Sequence, residues 1–194
     1  MLLSADAIVA ERDELELFKP LSFSLSGGEV VHLVGPNGSG KSTLLRGLLG
    51  LNQTLTGDIT WHSDSRCYVG HSPGLNGAIT VAESLRLLLL LDGMQTTDEQ
   101  VEFALAQVGL HAWRYQLSGR LSAGQTRKVA LSRLYCLDAP RIWLLDEPFT
   151  SLDKASTQKL SQRISDHARQ GGAVLLTSHQ NLEGMAHRTL ELDV

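Results

Sequence analysis

At 194 residues, with 42% hydrophobic, 20% charged and only 5% aromatic residues, the chain has the size and composition of an ordinary globular domain with a substantial core. A net charge of −4 and the lack of a dense Lys/Arg tract argue against electrostatic capture of nucleic acid. Cys67 and Cys136 form no C-x-x-C or C-x-x-C-H pattern and point to reduced, structural thiols in a cytosolic setting.

Residues 1–10 lack the basic region and long apolar core of a signal peptide. Residues 1–34 then suggest short strands, with a turn at Ser26-Gly27-Gly28. Leu21, Phe23 and Leu25 alternate with serines, the period of a half-buried strand. The apolar run Val30-Val31-His32-Leu33-Val34 delivers Gly35-Pro36-Asn37-Gly38-Ser39-Gly40-Lys41-Ser42-Thr43, and Leu44 to Leu49 leave it as a helix. This stretch fits G-x-x-x-x-G-K-[ST] in its strand–loop–helix setting, the arrangement of a phosphate-binding loop. Its glycines let several N–H groups turn toward one centre, and the helix's positive end points the same way. Lys41 is expected to reach the β- and γ-phosphates of a nucleoside triphosphate, and Ser42 to hold Mg²⁺.

Two strands are expected over 57–61 and 66–70, followed by a loop with Pro73, Gly74 and Gly77. Residues 80–137 look mainly helical. Thr97 to Gln100 and Ser122 to Gln125 have capping-box spacing. The leucine-rich segment Leu85–Leu91 is expected to supply mostly core, or in part a groove for a membrane-subunit helix together with loop 71–78; its leucines 87–91 are too few to span a bilayer. Arg141 to Asp146 form a buried strand ending in carboxylates, Asp153 caps a helix stopped by Gly171-Gly172, and strands follow at 173–177 and 189–194. Alternating strands and helices around a phosphate loop predict a largely parallel sheet covered by helices, an α/β fold. The strand ending in Asp146 is expected beside the strand that feeds the loop, so that Asp146 and Glu147 face the nucleotide. Asp146 would then orient Mg²⁺, and Glu147 would polarise the attacking water as general base.

These motifs resemble the ATP-binding cassette (ABC) ATPases. The family's signature stands as Leu121-Ser122-Ala123-Gly124-Gln125, followed by the Asp146-Glu147-Pro148 strand end, the loop Ser151-Leu152-Asp153, and His179 after a strand. The resemblance implies one ABC domain over 1–194: a P-loop NTPase with a mainly parallel core sheet, an N-terminal antiparallel β portion and a helical lobe inserted at roughly 78–130. It implies ATP and Mg²⁺ as cofactors and a head-to-tail homodimer in the ATP-bound state. In that dimer Ser122, with Gly124 and Gln125, addresses the nucleotide of the opposite protomer, and His179 contacts the γ-phosphate and the lytic water.

Two departures from the family pattern stand out. The glutamine that usually touches Mg²⁺ falls near His71, whose imidazole would accept from a metal-bound water. No aromatic precedes Phe18 to stack on adenine; Arg12 would stack instead, or the stretch 11–14 is a solvated charged turn. Glu11-Arg12-Asp13, Gly70-His71 and Glu147-Pro148-Phe149-Thr150 resemble the cassette subunits of cytochrome c maturation (haem exporter) complexes. The resemblance implies integral membrane partners like CcmB and CcmC, a peripheral place on the cytoplasmic face of the inner membrane, and no nucleic-acid partner. The alternatives are a cassette for another small solute or a non-transport ABC ATPase.

Overall fold

The computed structural model describes the chain apart from residues 13, 14, 137–141, 181, 183 and 194 and the side chain of residue 12. The expected stacking by Arg12 and the first residue of the strand predicted from Arg141 therefore lie outside the described residues. Two compact units emerge. One comprises Met1–His71, Pro140–Pro148 and Ile164–Val194, and the other Ser72–Ala139 and Phe149–Arg163.

In the first unit, β1 (Leu3–Arg12) runs antiparallel to β2 (Leu15–Glu16), β3 (Leu21–Leu25) and β5 (Leu55–Trp61). The buried positions of β1 switch from odd (Leu3, Ala5) to even (Ile8, Ala10). A strand alternates strictly, so that switch requires an extra residue, and both ladders shift register there, around Ala7 at φ 47°. The second sheet is wholly parallel, in the order β6 (Arg66–Val69), β7 (Ile142–Leu145), β8 (Ala173–Thr177), β4 (Val30–Val34), β9 (Arg188–Glu191). Every residue of β7 and β8 is buried, which is why both are continuous apolar runs rather than alternating ones. This order corrects one expectation: β7 does not neighbour β4, because β8 lies between them. Local pattern marks each strand but carries no information on which strands pair. Helix α1 (Lys41–Leu48) follows β4 and buries Leu44, Leu45 and Leu48 in the core with Leu33 and Leu175.

The second unit is helical, with α2 (Val81–Leu91), α3 (Asp98–Gln107) and α4 (Ala123–Ser132) around Val81, Leu85, Leu89, Val101, Leu105 and Val129. Reciprocal capping boxes open all three, at Thr80/Glu83, Thr97/Gln100 and Ser122/Gln125; the first was not anticipated. The leucines of α2 obey the helical period. Leu85, Leu88 and Leu89 are buried whereas Leu87, Leu90 and Leu91 are exposed, so half of the run rather than most of it is core. Asp153 caps α5 (Lys154–Arg169), accepting the N–H of Ser156 at 2.7 Å. No helix among the described residues is long and apolar enough to cross a membrane.

Candidate nucleotide site

The phosphate loop closes on its own lysine. Lys41 Nζ donates to the carbonyl oxygens of Gly35 and Pro36, both at 2.7 Å. Gly40, at φ 93°, turns the chain into α1, and a Cβ there would come within 3.1–3.2 Å of Phe18 and Leu17. Phe18 is therefore a core residue pressed beneath the loop, while Leu17 lines the cleft. Ser39 is 2% exposed, and its hydroxyl makes no hydrogen bond among the described residues. A buried hydroxyl left this way favours a ligand that brings an acceptor, as a phosphate does.

The cleft holds about 360 Å³ and is lined by Leu17, residues of the loop, His71, Asp146, Glu147 and His179. Asn37, Gly38, Gly40, Lys41, Ser42 and Thr43 are the loop residues on its wall, with Pro36 and Gly35 behind them as acceptors for Lys41. Asp146, 1% exposed, accepts at Oδ1 from the hydroxyls of Ser42 (3.0 Å) and Thr177 (3.1 Å). The intervening strand β8 thus delivers a hydroxyl between the two elements expected to be neighbours. Glu147 stands in the left-handed region at φ 51°, and its N–H donates to Thr177 Oγ1 at 2.8 Å. Its carboxylate turns to His179, accepting that residue's N–H at Oε2 (3.2 Å), with Oε1 3.5 Å from the ring Nε2. His32, on β4, places Nε2 3.0 Å from the carbonyl oxygen of Ser178, immediately before His179. His71 is exposed on the cleft wall.

Mg²⁺ suits this donor set. Ser42 Oγ and Asp146 Oδ1 converge at 3.0 Å, and both are hard oxygen donors. No cluster of three or more His, Cys, Asp or Glu residues fit for a metal occurs among the described residues. Mg²⁺ takes one or two protein ligands and completes its shell from phosphate and water. His71 offers a nitrogen, a poorer direct ligand for Mg²⁺, so its contact would run through water.

The signature residues lie in the second unit. Ser122 Oγ accepts the N–H of Gln125 at 3.2 Å, and Gln125 Oε1 accepts the N–H of Ser122 at 2.9 Å. Gly124 is fixed by packing: a Cβ would meet the carbonyl oxygen of Ser151 at 2.8 Å, and Ser151 itself is left-handed at φ 64°. Sequence reasoning missed Thr177. A threonine closing an apolar strand is ordinary β-branched filler, and only its position beside β7 gives its hydroxyl a task.

Residues 18–150 match the family described as ABC transporter. A protein of Saccharophagus degradans, "Cytochrome c biogenesis ATP-binding export protein CcmA", is 40% identical over 204 residues, covering 96% of this chain and 91% of that protein. A Salmonella choleraesuis protein named "Putative bifunctional cytochrome c-type biogenesis protein CcmAE" is 40% identical over 196 residues, 95% of this chain and 56% of that protein. Among solved structures, a dimeric ATP-binding cassette in a post-hydrolysis state with ADP and phosphate superimposes with a TM-score of 0.85 over 99% of this chain and 94% of its own. At 22% identity that likeness shows the fold. The chain belongs to the ABC transporter family, among relatives that carry the name cytochrome c biogenesis ATP-binding export protein CcmA.

Proposed function

We propose that this ABC ATPase powers cytochrome c maturation as a peripheral subunit on the cytoplasmic face of the inner membrane, bound to CcmB- and CcmC-like integral subunits. Hydrolysis would drive haem delivery by releasing the haem-loaded chaperone; the relative named as a bifunctional cytochrome c-type biogenesis protein supports a role in that process. The observation that carries the chemistry is the bonded series Ser42–Asp146–Thr177–Glu147–His179, in which Ser42, Asp146, Glu147 and His179 line the cleft with the phosphate loop and Thr177 joins the carboxylates from beneath the surface.

In this reading residues 1–194 are one ATPase domain with a helical lobe at about 78–130. The main-chain N–H groups of residues 35–43 other than Pro36, the Ser39 hydroxyl and Lys41 bind the phosphates, Lys41 leaving its two carbonyl partners to do so. Bound Mg²⁺ would be held by Ser42 and Asp146, with His71 through water, and supplies charge neutralisation on the β- and γ-phosphates. Glu147 accepts the proton of the attacking water, and His179, already in contact with that carboxylate, holds the γ-phosphate side. Ser122 uses its hydroxyl proton on the nucleotide of a second copy, since the capping box occupies only its lone pair. Gly124 and Gln125 shape that helix start. Arg12 remains the candidate for adenine.

The test is twofold. Tagged chain is purified from detergent-solubilised native membranes, where recovery with CcmB- and CcmC-like subunits is expected. An unrelated permease would discard the haem assignment and keep the ATPase; recovery only with ribosomal or DNA-binding proteins would overturn transport. In parallel, Glu147→Gln retains ATP binding and loses nearly all turnover, about 100-fold or more. Normal hydrolysis by that variant would overturn the base assignment.

A further inference from the structure

We infer that Thr177 is a positioning residue for the hydrolytic carboxylates, acting through its side-chain hydroxyl. The inference rests on the reading of Glu147 as general base.

The direction of the bonds is forced. Thr177 is fully buried at the end of β8, where an unbonded hydroxyl would be costly. Glu147 N–H, 2.8 Å away, only donates, so Oγ1 must accept from it. The hydroxyl's single proton is then free for Asp146 Oδ1 at 3.1 Å. One atom thus fixes an oxygen of the first carboxylate and the main chain of the second. The consequence is local and specific. Asp146 Oδ1, held by Ser42 on one side and Thr177 on the other, has a set orientation toward the loop. Glu147 sits at φ 51°, a left-handed conformation unfavourable to a non-glycine residue, and it persists only where surroundings over-determine it. The bond to Thr177 is such a determinant. It holds the residue whose side chain reaches His179, two residues beyond the end of β8, where the His179 N–H meets Oε2 at 3.2 Å. Without the hydroxyl, Glu147 loses the anchor of its amide and can relax toward ordinary φ, carrying its carboxylate away from His179.

Valine has the same branching without the hydroxyl; serine keeps the hydroxyl without the methyl. In the full chain, assayed with its co-purified membrane complex, Thr177→Val is expected to lower kcat by about tenfold to 100-fold, the scale of a misplaced catalytic group. ATP affinity, set by the phosphate loop, should change by less than about threefold. Thr177→Ser should restore turnover to within about threefold of the parent. Because Thr177 acts in part through Glu147, adding Thr177→Val to Glu147→Gln should cause a smaller fold-loss than Thr177→Val causes in the parent. If the valine variant fails to fold by thermal melting, Thr177→Ala carries the same kcat and affinity expectations. Parent-like turnover in the hydroxyl-free variants, equal loss in the serine variant, or full additivity with Glu147→Gln would each overturn the inference. Normal turnover in Glu147→Gln alone would instead sink the base assignment beneath it.

Discussion

Two helix starts in this protein are built in opposite ways, although both are assigned to phosphate. Helix α1 opens on Gly40 with no side-chain cap and no acidic residue in its first turn. Helix α4 opens on Ser122 inside a complete capping box with Gln125. An uncapped start leaves amide donors and the positive end of the dipole exposed to whatever anion arrives. A boxed start has satisfied two of those donors internally and retains one hydroxyl proton for use outside. The first is a standing anion site, complete within its own unit. The second is a stable helix end with one polar group to offer, as suits the proposal that Ser122 acts when a second copy closes on it.

The largest effect should come from the α1 start. Lys41→Met keeps the stem and removes the charge, with its two carbonyl bonds at 2.7 Å. The bonds Lys41 is assigned to phosphate are charge-assisted, worth together about 3 kcal/mol, so ATP affinity should fall roughly 100-fold by equilibrium titration. Affinity within a factor of about three of the parent would mean that amides alone make this site, and the contrast between the two helix starts would lose its electrostatic half.

The legibility of these features in the sequence follows from their range. A phosphate loop, the Ser122/Gln125 and Thr97/Gln100 boxes and the Asp153 cap are all written within a few consecutive residues, because the bonds that define them join near neighbours. The fold class was legible for the same reason: strand and helix periods are local. Strand order was not, since the pairing of β8 between β7 and β4 joins segments far apart in the chain. The role of Thr177 depends on that order and was hidden with it. The exposed leucines of α2 show a different limit. The five consecutive leucines 87–91 carry no polar residue of their own, so their phase comes only from Glu83 and Arg86 a turn earlier and from the packing of Val101, Leu105 and Val129 on the other side. Glu83 was readable three residues after Thr80 and completes a third box in the same local code.

A smaller and more pointed effect separates capping from chemistry at α4. Ser122→Ala removes both, and should lower stability by about 1 kcal/mol and turnover that needs the second copy by about tenfold. Gln125→Ala breaks only the bond from Gln125 Oε1 to the Ser122 N–H. It should cost a few tenths of a kcal/mol, about half the effect of the serine change or less, and leave most of the turnover. Urea melts set against ATPase rates decide the matter. If the two variants lose activity in proportion to stability, Ser122 is a helix cap and nothing more, and the comparison between α1 and α4 reduces to one phosphate site and one ordinary helix.

The smallest effect concerns a third start, that of α5, which α4 itself secures. Asp153 accepts from Lys128 of α4 at 2.9 Å and from the N–H of Ser156 at 2.7 Å. The Lys128 bond first, then the bonds to Ser156, hold the carboxyl well below its ordinary value of 3.8. A carboxylate whose pKa is depressed by folding contributes stability that is fully present above its unfolded pKa and is lost as pH falls through the folded one. Lys128→Met removes the leading cause, so Asp153 should titrate closer to the ordinary range and its contribution should fade at a higher pH. The parent and the variant should therefore differ at neutral pH, and the gap should narrow below about pH 4 as Asp153 takes up its proton in both. Because the carboxylate is exposed, the gap should also shrink in about 1 M salt. Denaturant midpoints across pH measure both. A gap that ignores pH and salt would assign Lys128 to packing of its aliphatic stem against Leu131 and Leu152, with which it shares a cavity wall, and would leave Asp153 capping α5 through Ser156 alone.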